Sequence, residues 1–462
     1  MHARDEPAII LKIVHVPFVF PPDPVGGTEI YVEALAHGLR AHGIESLIAA
    51  PGSAGNGQVY EHNDLRVRRF PSAPAGKYML RELYGDGDPQ AAAAFAKILD
   101  EECPDAVHVH AFTRAISVML VRVAKQRGLP VVFTYHTATV SCQRGTLMLW
   151  GKEPCDGVLG FRRCTNCLLE SRGVPRPAAA LMSYMPLQFA RALDTTNLSG
   201  GLWTALRMAD LMRARQQAFQ ALMREVDSVV APAEWVRALL VRNGVPGSKI
   251  TLSPTGLPGV MRKRQSPIDV AKTPLRVAFL GRADALKGLD TLVKAVRSAP
   301  GLSIELDLYG VAQSPADEAY WAMLKSWAAD DARISLRPPV PHDQVVALLS
   351  SYHLLALPSR SLEPGPLVIL ESFAAGTPVI GSNLGGIAEW VRHQDNGLLL
   401  EAEDVRAWAD ALRLCAEDRR LLARLRQGVQ PPRSMADVAD EMAQLYRFYS
   451  SGVSGRKRNS KA

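Results

Sequence analysis

The 462-residue chain lacks the features that mark several common classes of protein. No uncharged apolar run reaches the roughly 18 residues that a membrane-spanning helix needs. The glycine patterns of dinucleotide-binding proteins and P-loop NTPases, G-x-G-x-x-G and G-x-x-x-x-G-K-[ST], are absent. Zinc-finger, helix-turn-helix and aromatic-plus-basic RNA-binding signatures are absent as well. The sequence therefore disfavours a membrane-spanning protein, a dinucleotide oxidoreductase, a P-loop NTPase and a nucleic-acid-binding protein.

The composition is that of a folded protein with more than one core. Hydrophobic residues make up 47% of the chain and charged residues 21%, which is typical of soluble globular proteins. A chain of 462 residues is too long for one ordinary core, so two domains are expected. The net charge is +7, and part of the excess lies at residues 261–264 and 455–461. We interpret both groups as solvated charge and expect no nucleic-acid partner.

The first apolar stretch, residues 8–20, does not have the pattern of a signal peptide. Lys12 and His15 interrupt it, Pro21 and Pro22 follow it, and the small-residue cleavage pattern is missing. It is better interpreted as an opening β-strand. We therefore expect a cytoplasmic protein.

Strand and helix patterns alternate along both halves of the chain. The predicted strands cover residues 9–16, 47–50, 106–110, 131–135, 227–231, 275–280, 304–309, 354–358 and 379–381. Alternation of this kind predicts parallel sheets that are covered by helices on both faces. The expected fold class is α/β, with two doubly wound, Rossmann-like domains facing a central cleft.

A proline-rich, charged and aperiodic segment separates the two halves. We predict an N-terminal domain over residues 1–254 and a C-terminal domain over residues 275–432, joined by a linker over residues 255–274. The first domain carries a cysteine-rich insertion at about residues 140–225. A helix over residues 433–450 and a disordered basic tail over residues 451–462 complete the prediction.

The most informative segment carries two acids eight positions apart, Glu363 and Glu371. It runs from a loop into a helix, so one acid lies on the loop and the other on the second turn of the helix, both facing one crevice. Carboxylates accept hydrogen bonds from hydroxyl groups, and such a pair suits a ligand with a polyhydroxylated group at each end of an anionic middle. A nucleotide sugar is such a ligand. The segment therefore indicates glycosyl transfer.

A second motif supplies the cations that an anionic ligand requires. Gly281 and Arg282 end a predicted strand, and Lys287 follows five positions beyond Arg282 at the start of a helix. Arginine, lysine and a helix N-terminus together form a pocket for phosphate oxygens. A surface turn with two solvated cations is the alternative, which the downstream acid pair disfavours.

Two further turns open helices. Gly365-Pro366-Leu367 begins the helix that carries Glu371, with proline suited to the first helical position. Its backbone N–H groups are expected to complete the diphosphate site. In the first half, Gly26-Gly27 lets the backbone approach a ligand closely, and Thr28 is predicted to cap the helix that follows.

Together these motifs resemble glycosyltransferase family 4, the retaining, nucleotide-sugar-dependent transferases with the GT-B fold. The resemblance extends over most of the chain and rests on several motifs in the order of the family. They are Gly26-Gly27, Thr134-Tyr135-His136, Pro254-Thr255-Gly256, Gly281-Arg282, Lys287-Gly288, the Glu363-x7-Glu371 pair and Gly376-Thr377-Pro378-Val379.

The resemblance implies roles for individual residues. Arg282 and Lys287 are expected to hold the donor diphosphate, Glu371 to bind the ribose and Glu363 to bind the transferred sugar. His136 is expected to contact the donor sugar near the reacting carbon. Gly27 is expected to approach the phosphates.

The resemblance also implies that no catalytic metal is used and that the acceptor attacks the face from which the phosphate departs. The expected substrates are a nucleotide-diphosphate sugar and a glycan or polyprenyl-linked acceptor, in cell-surface or exopolysaccharide synthesis. His110 is a weaker candidate for the acceptor side, with a structural role at a strand end as the alternative. Competing interpretations are a sugar-nucleotide epimerase, a phosphorylase of the same fold, and a non-catalytic sugar-nucleotide-binding partner subunit.

Four of the six cysteines, Cys142, Cys155, Cys164 and Cys167, fall within a short segment. Their spacing, C-x12-C-x8-C-x2-C, provides the ligand set of a tetrahedral structural zinc site. A disulfide and an iron–sulfur cluster remain alternatives, and a persistent disulfide is disfavoured in a cytoplasmic protein. We therefore predict structural zinc.

The insertion continues with an uncharged stretch at residues 177–190 and a basic amphipathic helix. That helix carries Trp203, Leu206, Arg207, Leu211, Arg213 and Arg215. Such a segment can lie on an anionic bilayer and admit a lipid-linked acceptor. The alternative is that its apolar stripe packs on the parent domain. A peripheral site on the inner face of the membrane is therefore one expected location.

Overall fold

A computed structural model describes residues 11–24, 26–52, 57–72, 79–194, 200–259 and 274–459. Contacts divide the chain into two units, one formed by residues 1–254 with residues 435–462 and the other by residues 255–434. The division after residue 254 falls where the first predicted domain ends. Most of the predicted linker, including the basic residues 261–264, lies outside the described residues.

The first unit is built on a mainly parallel sheet. Its strands are β1 (Leu11–Val16), β2 (Ile44–Gly52), β3 (Val59–His62), β4 (Leu65–Pro71), β5 (Ala106–Val109), β6 (Val131–Thr134), β7 (Met148–Leu149), β8 (Glu153–Pro154), β9 (Ser228–Ala231) and β10 (Ile250–Leu252). Eight of these described strands form one sheet in the order β10-β9-β6-β5-β1-β2-β4-β3. The edge strand β3 pairs antiparallel with β4, and β7 and β8 form a separate antiparallel hairpin.

The second unit contains a parallel sheet. Its strands are β11 (Leu275–Arg282), β12 (Ile304–Val311), β13 (Ile334–Arg337), β14 (Leu354–Leu357), β15 (Val379–Ser382) and β16 (Gly397–Leu400). Their order is β13-β12-β11-β14-β15-β16, with every pair parallel. The parallel sheets expected from the βα alternation are therefore present in both units.

Helices connect and cover the strands. They are α1 (Gly27–Leu39), α2 (Pro89–Glu102), α3 (Val118–Gln126), α4 (Phe161–Ser171), α5 (Arg176–Ser183), α6 (Leu187–Asp194), α7 (Gly201–Glu225), α8 (Glu234–Arg242), α9 (Leu289–Arg297), α10 (Pro315–Ala328), α11 (Val345–Leu349), α12 (Leu367–Ala374), α13 (Gly385–Trp390), α14 (Val405–Glu417), α15 (Arg419–Gly428) and α16 (Met435–Asn459). Among the residues described, no helix combines the length and the apolar composition that crossing a bilayer requires.

Side-chain alternation along β11 shows that helices cover both faces of the second sheet. Val277 and Phe279 are buried in one apolar cluster, which includes residues of α9 and α14. Ala278 and Leu280, which point to the opposite face, are buried in a second cluster with residues of α12. This two-sided burial explains why the strands are nearly continuous apolar runs.

Local sequence signals account for several helix starts. Asp88 caps α2, with Pro89 at its first position, and Ser314 caps α10 in the same way with Pro315. The Asp88 carboxylate accepts hydrogen bonds from two backbone N–H groups of the first turn. Asp404 caps α14 through the Ala407 N–H group.

The last helix, α16, belongs to the first unit. Val438, Met442 and Tyr446 are buried in the same apolar cluster as Val32 and Leu35 of α1. The close approach of the two helices requires a small residue at Gly38, where an added Cβ would lie 2.8 Å from the Ala439 Cβ. The backbone is helical to Asn459, so residues 451–459 form a helix where a disordered tail was predicted.

The predicted strands agree with the observed ones to within a few residues. The prediction for residues 131–135 corresponds to Val131–Thr134, and that for residues 304–309 corresponds to Ile304–Val311. Residues 9 and 10 of the first predicted strand lie outside the described residues. Seven of the described strands were not predicted: β3, β4, β7, β8, β10, β13 and β16.

Candidate functional site

The second sheet has a switch point between β11 and β14. The chain adds β12 and β13 on one side of β11 and then crosses to place β14, β15 and β16 on the other. In such sheets a ligand binds beyond the carboxyl ends of the strands at the switch point. The loops that leave β11 and β14 carry Lys287 and Glu363, respectively. Two predicted site residues therefore meet where the topology favours a ligand.

Lys287 and Glu363 form an ion pair. The Lys287 Nζ donates to Glu363 Oε2 at 2.7 Å, and less than a fifth of either side chain is exposed. Burial alone would raise the pKa of Glu363, but the charges of Lys287 and Arg282 lower it overall. Glu363 is therefore ionised at neutral pH and can accept hydrogen bonds from hydroxyl groups. The lysine predicted to hold phosphate is bound to the acid predicted to hold the sugar.

The turn after β11 positions these cations. Gly281 and Arg282 end the strand, and the Arg282 guanidinium pairs with Asp284 at 3.1 Å while about half of its side chain stays exposed. Asp284 also accepts a hydrogen bond from the Leu286 N–H group at 2.6 Å, which caps the turn before Lys287. Arg282 is therefore held at the site by one carboxylate and remains accessible to an anion.

Gly288 fixes how closely this turn packs. Its φ is +69°, in the left-handed region that favours glycine. An added Cβ would lie 2.0 Å from the carbonyl oxygen of Pro358, which follows β14. At this position the backbone of the turn that carries Lys287 therefore packs directly against the backbone of the loop that leads to Glu363.

Glu371 lies on α12 and is buried, with 5% of its surface exposed. Its Oε1 accepts from His342 Nε2 at 2.9 Å. Because α12 begins at Leu367, Glu371 lies on the second turn of the helix, as predicted. His342 was not predicted, because it lies in an aperiodic stretch far from the motif in sequence.

The start of α12 differs in detail from the prediction. Pro366 precedes the first helical residue, Leu367, and occupies the cap position instead of the first helical position. Gly365 packs against the Trp390 ring, which an added Cβ would approach to 3.0 Å. The backbone before α12 is therefore fixed by packing.

The glycine pair Gly385-Gly386 holds the Glu363 loop in place. The Gly386 N–H group donates to the Glu363 carbonyl oxygen at 2.7 Å. Side chains are excluded here, since a Cβ at Gly386 would lie 2.7 Å from the Pro364 carbonyl oxygen.

The first sheet has a matching switch point between β1 and β5. The loop after β1 leads to Gly26 and Gly27 at the start of α1. The Glu29 side chain caps this helix by accepting from the Gly26 N–H group at 2.9 Å, so the prediction that Thr28 is the cap is wrong. Burial raises the pKa of Glu29.

His136 follows β6 at the same edge of the first sheet and is half-buried. Burial lowers the pKa of His136 to about 3, so the imidazole is neutral at physiological pH. Its Nε2 lies 3.1 Å from His110 Nδ1, and its ring packs edge-on against Tyr31 with centroids 4.7 Å apart. His136 is thus available as a neutral hydrogen-bonding group.

Three histidines behind His136 form a buried cluster. His15 of β1, His108 of β5 and His110 have ring nitrogens within 4.8 Å of one another. The parallel register pairs His15 with His108 across the β1–β5 ladder. His15 and His108 were assigned no function from the sequence, although a histidine within each of two predicted strands was a usable signal.

The four clustered cysteines line one cavity of about 40 Å³ in the first unit, and all are free thiols. Cys167 Sγ accepts from the backbone N–H group of Trp150 at 3.2 Å and from Arg144 Nη1 at 3.4 Å. Burial raises the pKa of Cys155 and raises that of Cys164 to about 11. Within the described ranges, His15, His108 and His110 are the only group that brings three metal-ligand atoms within 4.8 Å of one another. The four cysteines line a common cavity, but no three of their sulfur atoms lie that close together.

The basic helix of the insertion, α7, packs against its own unit. Arg207, Leu211 and Arg215 are buried. The Arg215 guanidinium lies 4.4 Å from the centre of the Phe112 ring and donates to the Val140 carbonyl oxygen at 3.1 Å. These residues therefore form part of the core, as in the packing alternative, and they do not form an exposed basic face.

Comparison with known families accounts for both units. Residues 26–256 match the family model described as a glycosyl transferase 4-like domain, and residues 261–430 match the model for glycosyl transferases group 1. The chain belongs to glycosyltransferase family 4. The motifs that carried the resemblance in the sequence lie within these matched ranges.

Curated relatives of this glycosyltransferase include D-inositol 3-phosphate glycosyltransferases. The relative from Nocardia farcinica (strain IFM 10152) is 30% identical over 225 residues, which cover 46% of this chain and 50% of that protein. The relative from Paenarthrobacter aurescens (strain TC1) is 24% identical over 408 residues, covering 84% of this chain and 83% of that protein. The chain thus spans about half the length of the first relative and most of the second.

Solved structures show the GT-B fold. A sucrose-phosphate synthase from Thermosynechococcus elongatus matches with a TM-score of 0.66 and 22% identity, covering 96% of this chain and 100% of that one. Anabaena HepE in complex with UDP and glucose matches with a TM-score of 0.61 and 16% identity, covering 94% and 99%. At these identities the likeness establishes the fold of this glycosyltransferase.

Proposed function

We propose that this glycosyltransferase moves a sugar from a nucleotide-diphosphate donor to a glycan or polyprenyl-linked acceptor, with retention of configuration, in cell-surface or exopolysaccharide synthesis. The donor half of the proposal rests on one observation: Lys287 and Glu363 are paired at the switch point of the second sheet, with Arg282 close by. The UDP and glucose bound to Anabaena HepE support a nucleotide-sugar donor.

In the proposed donor site, the cations bind the anionic part of the ligand and the acids bind its hydroxyl groups. Arg282 and Lys287 bind the diphosphate and stabilise the charge that grows on it as the glycosidic bond breaks. Glu363 binds hydroxyl groups of the transferred sugar, and Glu371 binds the ribose hydroxyls. Binding requires Lys287 to share its ammonium group between Glu363 and a phosphate oxygen, for which its three donors suffice.

The remaining proposed contacts come from backbone and from the first unit. Gly281 and Gly365-Pro366-Leu367 border the diphosphate through their backbone. Gly26-Gly27 approaches the phosphates, and neutral His136 contacts the transferred sugar near the reacting carbon. The acceptor hydroxyl attacks the face that the phosphate leaves, and the leaving phosphate takes its proton. This mechanism needs no catalytic metal.

A thermal-shift panel of UDP-, GDP- and ADP-sugars tests the donor site. Wild type is expected to be stabilised by one nucleotide class, and Glu371→Ala is expected to lose that stabilisation. Glu417→Ala is the matched control, since Glu417 is an exposed acid of the same unit. Equal stabilisation of Glu371→Ala and wild type contradicts the proposed site. Binding of a donor with neither donor hydrolysis nor transfer would favour a non-catalytic partner subunit.

A phosphorylated polyol is a second candidate acceptor. It is supported by the curated relatives, which are named D-inositol 3-phosphate glycosyltransferases. Transfer assays with the donor from the panel distinguish the candidates, using inositol phosphate, a polyprenyl-phosphate-linked sugar and a short glycan as acceptors. If product forms with inositol phosphate and with neither of the other two acceptors, the phosphorylated polyol replaces the glycan or lipid in the proposed function.

We also propose that the protein is cytoplasmic and contacts the inner face of the membrane through the insertion. On α5, α6 and the turn between them, Leu181, Tyr184 and Phe189 are at least half exposed. Leu202 at the start of α7 is also exposed, and Arg191 and Arg176 have side chains more than half exposed. Apolar side chains beside arginines suit an anionic bilayer surface.

Flotation with liposomes tests this contact. Wild type is expected to float with vesicles that contain anionic lipid, and the double variant Leu181→Ser, Phe189→Ser is expected to bind less. Phe448→Ser is the control, because Phe448 is an aromatic residue of α16 that is even more exposed than Phe189. An absence of binding by wild type removes the proposed membrane contact.

We further propose that Cys142, Cys155, Cys164 and Cys167 bind a structural zinc ion. Their common cavity and the hydrogen bonds donated to Cys167 suit a thiolate ligand set. Zinc binding would require the sulfur atoms to draw closer together and the raised pKa values of Cys155 and Cys164 to fall. Elemental analysis of purified protein is expected to give one zinc per chain, and no zinc with four free thiols would refute the site.

A further inference from the structure

Buried side chains connect β2 to His136 through a continuous chain of hydrogen bonds. Ser46 Oγ lies 3.3 Å from His15 Nε2, and His15 Nδ1 lies 3.2 Å from His110 Nε2. His110 Nδ1 in turn lies 3.1 Å from His136 Nε2. Both ring nitrogens of His15 and of His110 are therefore used within the chain.

Burial keeps the imidazoles of this chain neutral. Removal from water lowers the pKa of His15 to about 3 and places that of His110 well below its ordinary value. The titratable groups around the chain are Tyr31, His108 and Tyr446, and no carboxylate contact with the imidazoles is observed among the described residues. A neutral imidazole has one N–H donor and one bare nitrogen acceptor. Each contact in the chain must therefore contain one hydrogen.

This requirement leaves two arrangements of hydrogens. In the first, Ser46 donates to His15, His15 donates to His110, and His110 donates to His136, so that His136 carries its hydrogen on Nδ1. In the second, every hydrogen bond is reversed and His136 presents a bare Nδ1. An intermediate arrangement would place two hydrogens or none between a pair of nitrogens, which is costly in a buried site.

We propose that His15 and His110 are positioning residues that set the tautomer of His136 through this hydrogen-bonded chain. The inference rests on the proposed function only in taking His136 as a group that contacts substrate. With Nδ1 protonated, His136 donates to a sugar oxygen, and with Nδ1 bare it accepts from a sugar hydroxyl. The direction of the hydrogen bonds along the chain therefore determines which of the two contacts His136 makes.

His108 lies beside the chain and holds it in place. Its Nδ1 is 2.6 Å from Tyr446 Oη and its Nε2 is 2.7 Å from Thr134 Oγ1, so neither nitrogen is available to the chain. Its ring lies 3.9 Å from that of His110, centroid to centroid.

A buried metal ion bound by His15, His108 and His110 is the competing explanation. It is disfavoured because all six ring nitrogens already contact hydrogen-bonding partners, and an ion would have to break several of these contacts. A cation would also be buried without a carboxylate to balance its charge.

Nitrogen-15 NMR of histidine-labelled full-length protein, with no donor present, reads the His136 tautomer directly. Wild type is expected to show a single tautomer of His136, with the same ring nitrogen protonated and the other bare in every molecule. His15→Leu breaks the chain at a distance from His136 and is expected to give a mixture of the two His136 tautomers. His15→Asn, which can retain the contact to His110, is expected to stay closer to wild type. Tyr446→Phe is the control, since it perturbs His108 and leaves the chain intact.

Two amide substitutions at His110 separate hydrogen bonding from packing. Asparagine places its amide near the position of Nδ1 and can retain the contact to His136, whereas glutamine places its amide near Nε2 and can retain only the contact to His15. Glutamine is closer to histidine in size, so a packing role predicts that His110→Gln is the milder change. The proposed chain predicts the reverse. We expect donor hydrolysis, measured over the UDP-, GDP- and ADP-sugar panel, to have a kcat about tenfold lower in His110→Gln than in His110→Asn at similar KM.

An unchanged His136 pattern in both His15 variants would overturn the proposal, as would His110→Gln being the milder variant. A stoichiometric metal ion that is lost in His15→Leu and kept when Cys142 is replaced would also overturn it. The NMR result does not depend on activity, so it still tests the chain in a protein that shows neither donor hydrolysis nor transfer, which is the outcome that counts against the proposed function.

Discussion

The pairing of Lys287 with Glu363 gives the sharpest prediction about energetics. Replacing Lys287 with methionine leaves a buried carboxylate without its cation, while the long side chain keeps most of its apolar packing. The two side chains are 19% and 17% exposed, which places them between a surface pair and a fully buried one. Removing one partner of a fully buried pair costs about 3–5 kcal/mol. For this partly buried pair we expect Lys287→Met to lower the free energy of unfolding by about 2–3 kcal/mol.

Glu363→Gln in the same background should recover most of the loss. The amide carries no charge, so the cost of burying an unpaired carboxylate disappears. We therefore expect a double-mutant cycle to give a coupling energy of about 2 kcal/mol between the two positions. For a unit of this size, a destabilisation of 2–3 kcal/mol corresponds to a fall in Tm of about 4–12 °C.

The pH dependence gives an independent test of the same pair. The folded-state pKa of Glu363 is lowered in wild type, so the stability that it contributes is present above its unfolded pKa and is lost as the pH falls through the folded value. Without Lys287, burial raises the pKa of Glu363, and the destabilisation of Lys287→Met should shrink as acid protonates the carboxylate. Urea denaturation at pH 7 and pH 5 measures this difference.

The ion pair between Arg413 and Asp410 provides a matched control. Its nitrogen–oxygen distance is 2.8 Å, nearly that of the Lys287–Glu363 pair, but both side chains are more than two-fifths exposed. Its coupling energy should be below about 0.5 kcal/mol. Equal coupling for the two pairs, or additive effects of Lys287→Met and Glu363→Gln, would refute the argument from burial.

Three further outcomes follow from other contacts. Gly288→Ala should lower the free energy of unfolding by about 2 kcal/mol or more and abolish donor-induced stabilisation, because the added Cβ would overlap a backbone carbonyl oxygen. Gly301→Ala, with open space around its Cβ, should have neither effect, and thermal denaturation measures both variants. Burial opposes ionisation of Glu102, but Lys12 and Arg68 hold its pKa below the ordinary value. The stability that its carboxylate contributes is therefore present above its unfolded pKa and is lost as the pH falls through the lower folded value, so Glu102→Gln should flatten the wild-type decline in unfolding free energy between about pH 5 and pH 3. Tyr446→Phe should cost about 1 kcal/mol in urea denaturation through loss of the bond to His108, and an unchanged midpoint would contradict that contact.

Local patterns in the sequence predicted those parts of the fold that depend on neighbours along the chain. Strands such as Leu275–Arg282 and Leu354–Leu357 were predicted because buried parallel strands are continuous apolar runs. The hairpin of β3 and β4 was missed because its residues alternate charged and apolar side chains around a short turn at Asn63 and Asp64. Its edge position exposes one face, so continuous apolar character was not required.

The amphipathic helix shows where a local pattern misleads. Arginine and tryptophan on one stripe of residues 201–225 suggested a face for an anionic surface. In the folded unit, Arg207 and Arg215 are buried, and Arg215 donates to backbone carbonyl oxygens while stacking on Phe112. A guanidinium can be buried when its donors find acceptors, and those acceptors lie far away in the sequence.

The sequence by itself determined the motif residues and their order, because the spacing of Glu363 and Glu371 across a loop and a helix turn is a local property of the chain. The tertiary structure decided which residues face each other. It paired Lys287 with Glu363 and His342 with Glu371, and it placed His15 behind His110 and His136. These contacts join strands and loops that sheet topology makes neighbours, and their energies depend on burial. Neither topology nor burial can be read from the spacing of residues along one segment.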